Sequence, residues 1–336
     1  MKMLSMKDIA NLSGVSLKTV SRVLNNSDNV KDSTRQKVMK IVEEHGYQKN
    51  IIAKSLKERK TNTIIVLIDR HKGDYWGIWH TIMLNTIMKK GKKLGYKVII
   101  SPSSAMNSLK EDTDGFPLIT SGLADGAIIF DNVRKDVRIA FLNKHNIPYV
   151  VVGRNVDNNQ SKWVDLDNKS AGYVGGEYLI ERDYHSICFL LGEEEYIVNQ
   201  ERAKGFQEAA LKYNIKDVNT VYGINTMKKA YEVVNKHLNK NKKYRAYYVS
   251  GDERALGVYR AILEKGYKIP DDIAVLGIDN IPICDYLYPS LSSINQPVNE
   301  FCEHILNMLI KQINGEEILT SNKIVLPYEL IIREST

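Results

Sequence analysis

The chain has 336 residues, more than one hydrophobic core usually supports, so two or three compact units are expected. Its formal charge of +7 is unevenly placed: residues 1–60 carry 13 Lys/Arg against 6 Asp/Glu, which leaves residues 61–336 neutral. A basic head on a neutral body excludes a generally basic protein and fits attraction to nucleic acid, against the plainer alternative of a solvated charged tail.

In chain order, residues 6–25 form two helical patterns broken at Gly14. Ser5 is available to cap the first, whose Ile9 and Leu12 supply an apolar edge, and Gly14 supplies the left-handed stop. Ser16 caps the second, with Val20, Val23 and Leu24 at helical spacing toward the first helix. Its opposite face carries Leu17, Lys18, Ser21, Arg22 and Asn25. Lys18 and Arg22 stand four apart and point outward from one stripe. A helix, a tight Gly turn and a second helix is the geometry that seats a helix in the DNA major groove. There Arg22 is able to grip a guanine edge bidentately and Lys18 a guanine or a phosphate, while Thr19 and Ser21 suit phosphate oxygens.

A third helix is predicted from about residue 32 to 45, with Val38, Ile41 and Val42 as its core stripe, Gly46 as its stop and Tyr47 packed back. Next comes 50–57, too short to fold alone, where Ala53 and Leu56 form an apolar edge beside Lys54 and Lys57. A Leu between lysines suits a wedge pressed into a minor-groove base step; the alternative is a linker whose Leu docks on its own protein.

Lys7-Asp8-Ile9-Ala10, Gly14-Val15-Ser16, Thr19-Val20-Ser21-Arg22-Val23-Leu24-Asn25 and Asn50-Ile51-Ile52-Ala53-Lys54-Ser55-Leu56 together resemble the headpiece and hinge of the lactose/galactose-repressor (LacI/GalR) family, nearly gaplessly over some fifty residues. The resemblance implies a dimeric repressor whose hinge helices form on operator DNA and insert Leu56 into the minor groove. Its DNA-facing set is Ser16, Leu17, Lys18, Thr19, Ser21, Arg22 and Asn25, with Asn50, Ala53 and Leu56 from the hinge. Lys31 stands where the family often has a Ser cap, and Asp32 is the substitute.

From Thr63 onward, β-rich runs at 64–69, 98–101, 126–130, 149–152, 187–191, 246–249 and 273–278 alternate with helical stretches such as 79–94, 168–182, 200–213, 228–238 and 254–265. That alternation implies parallel sheets covered on both faces, in two halves with a ligand cleft at the carboxyl ends of the strands. Gly172-Tyr173-Val174-Gly175-Gly176 has the wrong spacing for a dinucleotide loop and reads as close packing inside a helix. The run Glu193-Glu194-Glu195 reads as an exposed loop, and no nucleophile elbow or phosphate loop is present, so no enzymatic activity is expected. Cys188, Cys284 and Cys302 are far apart and lie in or beside apolar runs, which implies free thiols in a reducing compartment and no metal site. No signal segment and no apolar run of about 18–20 residues is visible, so a cytoplasmic protein with no membrane partner and no cofactor is expected.

The resemblance continues through the body: Asp125-Gly126-Ala127-Ile128-Ile129, 147–154, Val164-Asp165-Leu166-Asp167-Asn168, Arg202-Ala203-Lys204-Gly205-Phe206, 269–280 and the final 330–336 look like the family's effector-binding domain. Residues 150–155 also resemble its maltose-type branch. The implied organisation is a headpiece at 1–49, a hinge at 50–60 and a periplasmic-binding-protein-like core at 61–336. Within that core the first subdomain takes about 61–160 and 293–323, and the second about 161–292 and 324–336. Position by position, Arg202 and Asp279 match the family's hydroxyl-binding pair; a guanidinium and a carboxylate are able to grip adjacent sugar hydroxyls, or simply each other. Asp252 either contacts ligand or caps the next helix. Trp79 aligns with a ring-stacking aromatic, with Trp76 as competitor, and Asn132 and Arg154 are further cleft candidates. Asn225 departs from the family, standing where several members place a stacking aromatic.

The leading expectation is a homodimeric repressor whose affinity for double-stranded operator DNA is set by a small sugar. A sugar-binding protein without a DNA role and a sugar-active enzyme on the same fold are the competing readings, and a protein corepressor is a further candidate partner.

Overall fold

A computed structural model describes residues 4–47, 60–69, 76–105, 115–157, 161–240, 244–317 and 322–336. The chain divides into two compact units, Met1–Thr61 and Asn62–Thr336.

In the first unit, α1 (Met6–Ser13), α2 (Leu17–Leu24) and α3 (Asp32–Glu44) pack around Ile9, Ala10, Val20, Val23 and Val38, all buried. Ser5 and Asp8 form a reciprocal capping box at the start of α1, and Gly14 ends it at φ 61°. Ser16 Oγ accepts from the Thr19 amide at 3.1 Å and caps α2. Leu12, expected in the apolar edge, is half exposed; Ala10 and Ser13 are the buried neighbours of Ile9 instead. Ser13 enters the core because its hydroxyl is satisfied by the Ile9 carbonyl at 2.5 Å. Asp32 does not substitute for a cap: the N-cap position of α3 is Lys31, with no side-chain capping bond, and Asp32 contributes its charge in the first turn. Arg35 instead ties the preceding loop down by donating to the Ser27 carbonyl at 2.6 Å.

The second unit holds two six-stranded sheets. The first runs β11-β5-β4-β3-β1-β2 and is wholly parallel, from β1 (Thr63–Ile68), β2 (Lys97–Pro102), β3 (Gly126–Ile129), β4 (Tyr149–Val152), β5 (Trp163–Leu166) and β11 (Lys323–Leu326). The second runs β12-β10-β9-β8-β6-β7, from β6 (Ser186–Leu190), β7 (Asp217–Val221), β8 (Ala246–Val249), β9 (Ala274–Asp279), β10 (Ser292–Asn295) and β12 (Glu329–Ile331), with only β12 antiparallel. Strands β1, β3, β4 and β8 are buried at every position, as strands covered by helices on both faces must be.

The helices are α4 (Ile78–Lys93), α5 (Gly115–Thr120), α6 (Val137–Lys144), α7 (Asn168–Ile180), α8 (Ile197–Lys212), α9 (Met227–Asn239), α10 (Asp252–Glu264) and α11 (Val298–Asn314). Four apolar clusters line the two faces of the two sheets.

The chain passes between the sheets three times, at 166–168, 295–298 and 326–329. The first passage falls later than the expected 160, because Trp163–Leu166 pairs with β4 and β11 and stays in the first sheet. Likewise Ser292–Asn295 pairs with β9 and belongs to the second sheet, and Lys323–Leu326 to the first. No helix among the described residues is long and apolar enough to cross a membrane.

Candidate functional site

In the headpiece unit, Ser16, Leu17, Lys18, Arg22 and Asn25 are exposed, and Thr19 and Ser21 half-buried, along one face of α2. Leu17 stands half exposed while Val20 and Val23 fill the core, so the helix offers an apolar contact beside two cations. Ser16 and Thr19 are already engaged with each other at 2.9 Å, which fixes the first turn rather than leaving both hydroxyls free. Asn50, Ala53 and Leu56 lie outside the described residues.

In the core unit, the carboxyl ends of both sheets enclose a cleft of about 120 Å³, partly open to solvent. Five sequence-predicted residues line it: Trp79, Asn132, Arg154, Arg202 and Asp279. Close helix packing places Arg202. Gly172 of α7 faces the Arg202 carbonyl and Gly205 of α8 faces the Lys169 carbonyl so closely that a Cβ would fall 2.0 and 1.8 Å from those oxygens. Of the small residues read as helix-packing positions, Gly172 admits the Arg202 backbone, while Gly175 faces the Tyr248 ring and Gly176 faces Phe206.

A polar chain runs from one half of the cleft to the other. Arg154 pairs with Asp165 on β5 at 3.4 Å. Asn168 donates to Asp165 at 2.8 Å and accepts from Arg202 Nε at 2.9 Å, and Arg202 Nη1 donates to Ser250 Oγ at 2.8 Å. Asn132 donates to the Arg154 carbonyl at 2.9 Å. Burial pushes the Asp165 carboxyl up to about 7 despite the opposing pull of Arg154 and Arg202. The Arg202 guanidinium is held below its ordinary value by burial, partly offset by the Asp279 charge.

Asp279 sits at the end of β9 with φ 119°, a conformation few L residues adopt, and accepts from Gln296 Nε2 at 2.6 Å. Burial raises its carboxyl, against the pull of Arg202 and Arg254. Arg202 and Asp279 do not close an ion pair with each other; each is held by other partners and both line the same cavity.

Trp79 packs edge-on against Phe130 and Phe301, and its indole N–H is buried without a hydrogen-bond partner. Trp76 is not part of the wall; its N–H donates to the Asp69 carbonyl at 3.1 Å.

Asp252 neither lines the cleft nor caps a helix. It is the first residue of α10, wholly buried, and accepts from Ser293 Oγ at 2.8 Å, the Ile281 amide at 3.1 Å and Cys284 Sγ at 3.1 Å. Three donors in a sealed pocket make it an anchor for the turn that follows Asp279. Burial and the Asp279 charge push its carboxyl up. Glu193 also departs from expectation: it lines the cleft and accepts from Asn225 at 2.6 Å, at the position where an aromatic was expected from the family.

Asn168, Ser250, Arg254 and Gln296 line the cleft without having been nominated from sequence. Asn168 lies in a segment already matched to the family, which is the signal that pointed near it. Gln296 stands at a passage between the sheets, and nothing in local periodicity marks it. No cluster of three or more His, Cys, Asp or Glu suited to a metal is found among the described residues.

A three-helix head with an exposed basic helix, and a two-sheet core closing on a polar cleft, define a ligand-responsive nucleic-acid-binding protein. Residues 5–50 match the family described as bacterial regulatory proteins, lacI family, and residues 177–336 match the periplasmic binding protein-like domain. The chain is 30% identical to catabolite control protein A of Priestia megaterium over 98% of both chains. It superposes on a lac repressor dimer bound to operator and an anti-inducer with a TM-score of 0.85, at 21% identity over 99% of each chain. It also superposes on a LacI-family regulator of Enterococcus faecium with bound ribose, with a TM-score of 0.70 at 25% identity, over 82% of this chain and 98% of that one. The chain belongs to the lacI family of bacterial regulatory proteins and is a DNA-binding transcriptional regulator, not an enzyme.

Proposed function

We propose that this regulator is a homodimeric, cytoplasmic repressor whose operator affinity is set by a small neutral sugar held in the core cleft. The observation that carries the reading is the placement of Arg202 and Asp279. Each is fixed by its own hydrogen bonds and both face one cavity, with no ion pair closed between them. A guanidinium and a carboxylate so placed respectively donate to and accept from vicinal hydroxyls at once. Trp79 adds a ring wall and an unsatisfied indole N–H. The ribose bound to the Enterococcus relative supports the same ligand class.

On the DNA side, Lys18 and Arg22 read or hold the major groove, with Leu17, Ser21 and Asn25 completing the surface. Asn50, Ala53 and Leu56 form the minor-groove hinge. Two copies present two such heads to two half-sites. Effector binding shifts DNA affinity only as far as it distinguishes two arrangements of the chain.

A thermal-shift screen of mono- and oligosaccharides tests the effector half of the reading. At least one sugar is expected to raise the melting temperature of the wild-type chain and to leave the Arg202→Ala variant unmoved, since a ligand bound only to the folded state stabilises it. A panel in which no sugar stabilises the wild-type chain overturns it.

A further inference from the structure

Helix α4 opens without a cap of its own. Its N-cap is Gly77, which has no side chain to cap the first N–H groups, and the first turn holds no acidic residue. A helix start so bare leaves its first N–H groups and the positive end of its dipole to be satisfied from elsewhere. Here the partner comes from across the cleft. Glu253 of α10, 175 positions later in the chain, accepts from the Ile78 amide at 2.6 Å. Glu253 is itself buried and is part of the cavity wall. The approach depends on Gly77, because a Cβ there would stand 2.7 Å from Glu253 Oε1. The neighbouring Arg254 guanidinium is buried, and the Glu253 charge opposes the loss of its proton.

Other contacts cross the same gap: Arg154 pairs with Glu201 at 4.0 Å, and Ile78 and Ile82 pack against the apolar cluster of the second half. Tyr196 Oη donates to Asp69 Oδ2 at 3.1 Å, and Val133 forms a single antiparallel bridge with Tyr196. Both lie away from Glu253 in sequence and belong to the cleft rim, so they report closure independently of it.

We infer that Glu253 is a positioning residue that latches the cleft closed by capping α4 from the opposite subdomain, and that effector affinity depends on this latch. The second clause rests on the effector reading above; the first does not. A carboxylate on a helix start is a charge-assisted contact made only when the halves meet, so it biases the closed arrangement before any ligand arrives. A ligand that binds the closed arrangement then has an apparent dissociation constant equal to its intrinsic one divided by the closed fraction.

Hydrogen exchange of the ligand-free full chain, read by mass spectrometry, tests the latch. In Glu253→Ala, exchange is expected to rise several-fold both at the Ile78 turn and at the distant 131–133 and 196–199 rim segments. The buried strand Ala246–Val249 serves as the folding control and is expected to stay protected. Glu253→Gln, which keeps an acceptor but not the charge, is expected to fall between. Gly77→Ala leaves Glu253 intact but pushes it off the helix, so it is expected to reproduce the rim opening without removing the carboxylate. Faster exchange confined to the Ile78 turn in both Glu253→Ala and Gly77→Ala overturns the inference, because Glu253 is then a local cap only. Unchanged exchange everywhere overturns it as well. Should Glu253→Ala expose the control strand, Gly77→Ala and Glu253→Gln decide the matter by the same rim readout. If the rim opens in the variants while no sugar stabilises even the wild-type chain, the latch stands and the sugar reading fails.

Discussion

The proposed DNA face of the headpiece and the proposed effector cleft are built by opposite means. On α2 the groups proposed to meet DNA, Lys18 and Arg22, are exposed, and only their spacing on a rigid helix is prescribed; the core beneath them holds five buried apolar side chains. In the cleft, Arg202 is almost wholly buried and Asp279 half-buried, and both are held by partners far away in sequence, Asn168 and Ser250 for one and Gln296 for the other. An exposed cation attracts phosphate at long range and tolerates small displacements, whereas a buried polar group works only at its own distance. The difference predicts that cleft variants fail sharply and headpiece variants by degrees.

The largest effect is expected from removing one member of the cleft pair. Arg202→Ala or Asp279→Ala should weaken binding of a stabilising sugar by about 2–5 kcal/mol, since truncating a buried, hydrogen-bonded charge strands its partners. Calorimetry with the full chain measures this; a loss under tenfold would place the pair outside the binding contacts. Next comes Gly205→Ala, which drives a methyl into the Lys169 carbonyl. It should destabilise the core by about 1–3 kcal/mol or more and displace Arg202, so melting temperature and sugar affinity fall together. Lowered stability with unchanged affinity would separate the helix packing from the site.

On the DNA side, Arg22→Ala should cost about 1–3 kcal/mol of operator binding and relax base preference, measured by competition among duplexes differing at one base pair. Leu56→Ala should reduce DNA bending, and wild-type affinity should fall steeply with salt as counterions are displaced. A flat salt response, or unchanged affinity and bending in both variants, would remove the basis for assigning nucleic-acid recognition to the head.

A further effect is pH-dependent. Asp165 holds its proton to about pH 7 in the folded chain and releases it near the ordinary carboxylate range when unfolded. The folded state therefore binds the extra proton between about pH 4 and 7, and this group's contribution to stability falls as pH rises through that window. Melting curves from pH 5 to 8 should be flatter for Asp165→Asn than for wild type; identical slopes would show that the carboxylate is ionised throughout.

The same contrast explains what could be read from the chain alone. Headpiece structure is set within one or two helical turns, by Ser5, Gly14, Ser16 and the Val20/Val23 stripe, so local pattern suffices there. Leu12 misleads because an apolar residue at helical spacing need not be inside once Ser13 finds a carbonyl within its own helix. In the core, fully buried strands such as Tyr149–Val152 and Ala246–Val249 announce themselves as apolar runs. Trp163–Leu166, Asp217–Val221 and Ser292–Asn295 are short or polar, and their place in a sheet is set by pairing with β4 and β11, with β6, and with β9 and β12. The same holds for Asn168, Gln296 and Glu253, whose roles exist only once distant segments meet. Asp252 has the sequence setting of a ligand contact, yet the three donors around it turn it inward.

The most direct measurement is the affinity of the full chain for a duplex selected from random DNA, with and without a sugar that raises its melting temperature. The account predicts that saturating sugar changes that affinity by about 5–150-fold, the ordinary range for coupled sites, and that Arg202→Ala abolishes the change while keeping sugar-free DNA binding. A sugar that binds the cleft and leaves DNA affinity untouched would contradict it.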